Sequence, residues 1–181
     1  MSRGEVATPS QTSGPFLSIG TEWNARGQMV DPSTPGAVTI SGRVFDGAGA
    51  PVIDALLEIW QADPAGRFPP ATASSWTGFG RTLTDRSGAY RICTLKPGAL
   101  PLAGGGVEAP HLDVSIFARG LLQRLVTRIY FSDDAEVESD PLLSSLSEAE
   151  VRASLIARRG ASGYHHDLWL QGDKETAFFV P

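Results

Sequence analysis

The residues best placed to do chemistry lie in PHLDVSIFARG, residues 110–120. Read as a strand, this segment puts His111, Asp113, Ser115, Phe117 and Arg119 on one face and the apolar Leu112, Val114, Ile116 and Ala118 on the other. A histidine and an aspartate two apart on a strand face can offer two ligands to a metal ion. Zinc or iron requires three or four converging ligands, and the chain has three histidines: His111, His165 and His166. His165 and His166 are adjacent, so they face opposite ways and cannot both join His111. His165 and Asp167 on one face read as a solvated edge. Arg119 stands eight residues beyond His111, roughly 26 Å along a straight strand, so it cannot serve a site centred there. Its chemistry is either a surface ion pair or recognition of a carboxylate. No GxSxG, Walker loop or HExxH pattern occurs, and AGGGVE (residues 103–108) lacks the following helix that phosphate cradling needs. On spacing alone the chain reads as a non-catalytic binding module, without chemistry of its own.

Elements that would position these residues follow from hydrophobic period and turn signals. AVTISGRVF alternates Val38, Ile40 and Val44 against Thr39, Ser41 and Arg43. After the turn DGAGAP comes a strand over 55–60, and after DRSGAY another over 89–95, closed by Lys96-Pro97-Gly98. Strands over 111–118 and 124–131 follow, and HDLWLQG and ETAFFV make a final pair. SEAEVRASLIARRG predicts one helix, with Ser147 as N-cap, Glu150 three residues on and Gly160 as its stop; Arg158 and Arg159 would complement its dipole. Residues 1–36, rich in Pro, Gly, Ser and Thr, read as an extended arm, and 37–181 as the folded domain. The expected fold is all-β: an antiparallel β-sandwich of about eight strands with an extended N-terminal arm and one short helix. Trp60 and Trp76 are expected to fill it.

Composition sets the outer bounds. With 181 residues and 41% hydrophobic content the chain can bury a full core. A net charge of −5 leaves no basic excess for displacing counterions from nucleic acid. Cys93 is the sole cysteine, which rules out an internal disulfide and a thiolate cluster and reads as a small buried thiol. No run of ~18 apolar residues could cross a membrane as a helix, and no signal-peptide core precedes the arm, so a cytoplasmic location is expected.

The order SQTSGPF, ISGRVFDGAGAPVIDALLEIWQADPAGRF, GFGRTLTDRSGAYRICTLKPG, PHLDVSIFARG, TRIYFSDD and DLWLQGDKETAFF resembles the intradiol dioxygenases over nearly the whole chain. That resemblance implies ring cleavage of catechols by O2 at a non-haem ferric ion held by two tyrosines and two histidines. In this chain Phe68 and Leu100 stand at the tyrosine positions, and His111-Leu112-Asp113 stands where the family has HIH. One ligand of four survives, which leaves a vacated site in which His111 and Asp113 could bond to each other.

The loss matches the non-iron, alpha-type chain of the two-chain members of the family, which cleave protocatechuate to 3-carboxy-cis,cis-muconate. The resemblance then implies no catalytic or metal-binding residue in this chain. Fe(III) belongs to a related beta chain, paired with this one in a higher-order alpha-beta oligomer, without nucleic acid or membrane. The arm would pack on that partner. Substrate-facing residues carried over by the resemblance are Thr12, Gly14 and Pro15 of the T-x-G-P segment and Arg119 of FARG.

Overall fold

A computed structural model describes residues 8–14, 16–21, 27–69 and 76–180. Strand β1 (Ala37–Phe45) buries Ile40 and Val44, as its alternation requires. Over Ala37 to Arg43 it pairs with the whole of β4 (Ala89–Leu95), antiparallel. β2 (Leu56–Trp60) lies between β3 (Phe79–Leu83) and β7 (His111–Phe117), and β7 pairs onward with β8 (Leu125–Phe131), all antiparallel. A small hairpin of β5 (Leu100–Pro101) and β6 (Val107–Glu108) stands apart from the main sheet.

The main sheet has nine strands, and β9 (Ile156–Gly160) joins its two halves. This strand runs parallel to β8 on one side and antiparallel to β10 (Gly163–His165) on the other. β10 and β11 (Leu168–Trp169) both pair in parallel with β1. Both halves send side chains into one core: Ile40, Tyr90 and Ile92 from the first, Leu57, Leu112, Ile116 and Phe131 from the second. Burying each of these large apolar groups is worth roughly 1.5–3 kcal/mol, so the shared core is what curls the sheet back on itself. β3 and β4 approach each other, and the sheet comes near to closing.

Three expectations are corrected. The sheet is mixed, not wholly antiparallel, because β1 and β8 take parallel partners. The single helix expected over 147–160 is replaced by α3 (Ala149–Ala153) followed by β9, and the described residues also hold the short α-helices α1 (Leu17–Thr21) and α2 (Pro141–Ser145) and a 3-10 helix (Ala135–Ser139). Ser147 is not the cap: Glu148 holds that place without a side-chain bond. The open edge of β8 overrides local helix propensity. Its Tyr130 amide donates to the Leu155 carbonyl at 2.8 Å and its Ser132 amide to that of Ala157 at 3.0 Å, while Leu155 is fully buried. Arg159 consequently serves no helix end and instead meets Asp133 and the Tyr164 hydroxyl. Finally, ETAFFV forms an isolated bridge, Phe179 to Val126, not a strand.

Candidate functional site

Strand β7 delivers His111 at its start and releases the chain at Phe117, so Ala118-Arg119-Gly120 forms the turn beyond its end. Gly120 sits at φ 93, a conformation that favours glycine. Its amide donates to the Thr12 hydroxyl at 2.7 Å, a contact that ties the N-terminal segment to this turn across most of the sequence. Arg119 extends half-exposed and meets Asp54, Nη2 to Oδ2, at 3.0 Å. Both line the rim of a cleft of about 740 Å3 whose apolar wall includes Val52, Leu121, Leu125 and Leu170. Two of the four residues expected to face substrate, Thr12 and Arg119, thus meet at one turn. Gly14 lies two residues on, exposed, with open space where a Cβ would project. Pro15 lies outside the described residues.

The other end of β7 holds the positions that the resemblance assigns to metal ligands. Phe68 is half-exposed and stacks on Trp60 with ring centroids 6.2 Å apart, and Trp60 pairs in register with Asp113. Trp60 is therefore a surface residue, contrary to the expectation that it fills the core; Phe79 flanks it on the sheet surface. Leu100 pairs in register with Glu108, whose carboxylate reaches to 3.9 Å from His111 Nε2. The four positions share one patch.

A guanidinium occupies the middle of that patch. Arg128 is the cross-strand partner of Asp113 and donates through Nε to its Oδ1 at 3.0 Å. Its Nη1 donates to the Tyr130 hydroxyl at 3.3 Å and lies 3.5 Å from Glu108. Tyr130 in turn donates to Asp140 at 3.2 Å, and Asp140 also accepts from the amides of Ala109, Leu142 and Leu143, capping α2. His111 is buried, with Nδ1 2.7 Å from the Ala109 carbonyl, which fixes the proton on that nitrogen. Burial, and after it the nearby Arg128 charge, pushes the His111 pKa below its usual range. Its Nε2 is 3.7 Å from Asp113, too far for the direct bond the sequence suggested, because Arg128 has taken that carboxylate.

These residues do not fit ferric iron. Phenyl and isobutyl groups offer no donor, and the one imidazole faces a site already holding a positive charge. Among the described residues no group of three or more His, Cys, Asp or Glu side chains converges as a metal site. Arg128 was missed in sequence reading because its significance depends on register; alternation places Arg128 and Tyr130 on one face but does not say that Asp113 and His111 lie opposite.

Elsewhere, His165 ends β10 exposed and 3.3 Å from Asp167, while His166, just past the strand, is buried with Nε2 on the Ser154 carbonyl; the two face opposite ways. Burial raises the pKa of the Cys93 thiol, in keeping with an inert core cysteine. No helix among the described residues is long and apolar enough to cross a membrane.

The sequence profile of the family described as Dioxygenase matches residues 13–172. This chain belongs to the intradiol dioxygenase family. Among family members, it is 38% identical to the protocatechuate 3,4-dioxygenase alpha chain of Pseudomonas putida, an alignment covering 95% of each chain. It is 35% identical to the protocatechuate 3,4-dioxygenase beta chain of Burkholderia cepacia, over 77% of this chain and 66% of that one. A solved dioxygenase domain, from a dioxygenase and carbohydrate-binding protein fusion of Streptomyces sp. SirexAA-E, superposes with a TM-score of 0.64 at 28% identity. That superposition covers 91% of this chain and 98% of the domain.

Proposed function

We propose that this chain is the non-iron subunit of a two-chain protocatechuate 3,4-dioxygenase, active with an iron-bearing beta chain that cleaves protocatechuate with O2 to 3-carboxy-cis,cis-muconate. Full-length likeness to an alpha chain supports it. The observation that carries it is Arg128, a cation held by Asp113 and Glu108 beside His111 in an intradiol dioxygenase fold, which speaks against iron in this chain and for iron in the partner. Fe(III) in the beta chain supplies activation of the catecholate. This chain supplies the rest of the pocket. Arg119 presents a planar donor to the ring carboxylate, and Thr12, Gly14 and Pro15 complete the wall that excludes water. Residues 1–36 act as an arm on the partner, and 37–181 form the sandwich domain that carries Arg119. The assembly is a higher-order alpha-beta oligomer in the cytoplasm, where the Cys93 thiol stays reduced.

Arg119→Ala in the assembled complex tests this reading. Iron content and the resting visible spectrum should match the parent. Turnover of protocatechuate should fall by about 1–3 kcal/mol in transition-state terms, the worth of a charged hydrogen bond, and that of catechol, which lacks the carboxylate, by less. Unchanged kinetics on both substrates would remove Arg119 from the site, and loss of assembly would make it an interface residue instead.

A further inference from the structure

A half-exposed guanidinium at the end of a strand rotates freely unless a second group fixes it. We infer that Asp54 is a positioning residue: it aims Arg119 at the substrate carboxylate in the partner's site and thereby sets the preference for carboxylated over plain catechols. This rests on the reading of Arg119 as the carboxylate contact.

Three observations carry it. Asp54 Oδ2 lies 3.0 Å from Arg119 Nη2, an ion pair at the tip of the guanidinium. A guanidinium has five N–H donors in a fixed fork, so the tether leaves an edge for a second carboxylate. Next, Asp54 is the non-glycine residue with a positive φ, 61°, among those described. That conformation costs free energy at any side chain, and glycine would relieve it. What glycine cannot supply is the carboxylate, which the turn directs at Arg119. Third, the bond from the Gly120 amide to Thr12 holds the backbone beside Arg119. The arginine is fixed at its tip by one element and at its base by another, on the rim of one cleft.

The test uses the alpha-beta complex with Asp54→Gly, which relaxes the backbone and removes the carboxylate, and Asp54→Asn, which keeps an acceptor without the charge. Arg119→Ala is the reference, and steady-state kinetics are measured on protocatechuate and on catechol. Asp54→Gly should raise KM for protocatechuate roughly three- to fivefold, the span of a half-exposed ion pair, with kcat and the KM for catechol close to the parent. Asp54→Asn should recover part of the loss. An unchanged KM, an equal shift on both substrates, or a lower KM for protocatechuate would overturn the inference; the last would make Asp54 a competitor for Arg119. If Arg119→Ala discriminates between the substrates while Asp54→Gly does nothing, this inference alone fails. A complex without activity, or an Arg119→Ala variant identical to the parent, removes the underlying reading and this one with it.

Discussion

Replacing Arg128 with methionine keeps the stem and removes the charge from the middle of the patch. Left behind are the Asp113 and Glu108 carboxylates and the Tyr130 hydroxyl, each of which loses a partner. At 3.0 Å and an effective dielectric near 20, the Arg128–Asp113 attraction alone is about 5.5 kcal/mol before desolvation and screening. Breaking a fully buried pair costs about 3–5 kcal/mol and a surface pair about 0–1. Side-chain exposures of 19% for Arg128 and 36% for Asp113 put this pair between those limits. We expect a loss of about 2 kcal/mol, or about 4–8 °C in Tm for a chain this long. The deficit should also depend on pH. In the parent, His111 has a folded pKa below its unfolded value, so it contributes stability above the unfolded pKa that is lost as pH falls. In the variant the Arg128 repulsion is gone while Asp113 and Glu108 still favour the imidazolium. Burial still holds the folded pKa of His111 down, but without the Arg128 charge it is lowered less than in the parent, so less stability is lost as pH falls. Urea and thermal unfolding at pH 8 and pH 5.5 should show the deficit narrowing at the lower pH. A deficit equal at both, or a loss under about 0.5 kcal/mol, would refute the view that one cation organises this patch.

Further outcomes are expected elsewhere. His166 is buried and its pKa is lowered to about 4, so stability should fall as pH drops from about 6.5 toward 4, by roughly 3 kcal/mol in all; a His166→Gln variant, if it folds, should lose that dependence in urea titrations. Restoring the ligand set with Phe68→Tyr, Leu100→Tyr and Asp113→His should still give no stoichiometric iron while Arg128 remains, and adding Arg128→Gln should permit binding; metal content and visible absorption read both. Gly42→Ala would place a Cβ 1.7 Å from the His166 carbonyl oxygen, which also accepts from Tyr90. We expect more than about 3 kcal/mol of destabilisation from that clash, and a loss below about 1 kcal/mol would show that the segment just after β10 yields.

Strands with their own local signals were legible in the sequence. β4 has the bounds its alternation and turn foretold: Asp85 accepts from the amides of Ser87 and Ala89, and Gly88 adopts φ 73. β9 was not legible, because IARRG alone carries no sign that the edge of β8 awaits it. β3 was likewise passed over, since FGRTL acquires its pattern from β2, where Arg81 meets Glu58. At the candidate site, the resemblance picked out Thr12 and Arg119 but not Asp54 or Arg128. Both are ordinary charged residues until tertiary structure brings their partners across, and no period in the sequence encodes that meeting.

The placement of β1 has a consequence for the order in which this protein can be made. One edge of β1 can pair with β4 as soon as residue 95 is available, but the other must wait for Tyr164 and Trp169, which it meets through Ile40 and Phe45. During synthesis the first strand therefore carries an unpaired edge while most of the chain emerges, and folding dominated by such distant pairings is slow. A beta chain that arrives early meets an unfinished partner with an edge open to misassociation. Premature termination after Gly160 would make that state permanent, removing β10 and β11 and leaving β1 paired with β4 alone and β9 with β8 alone.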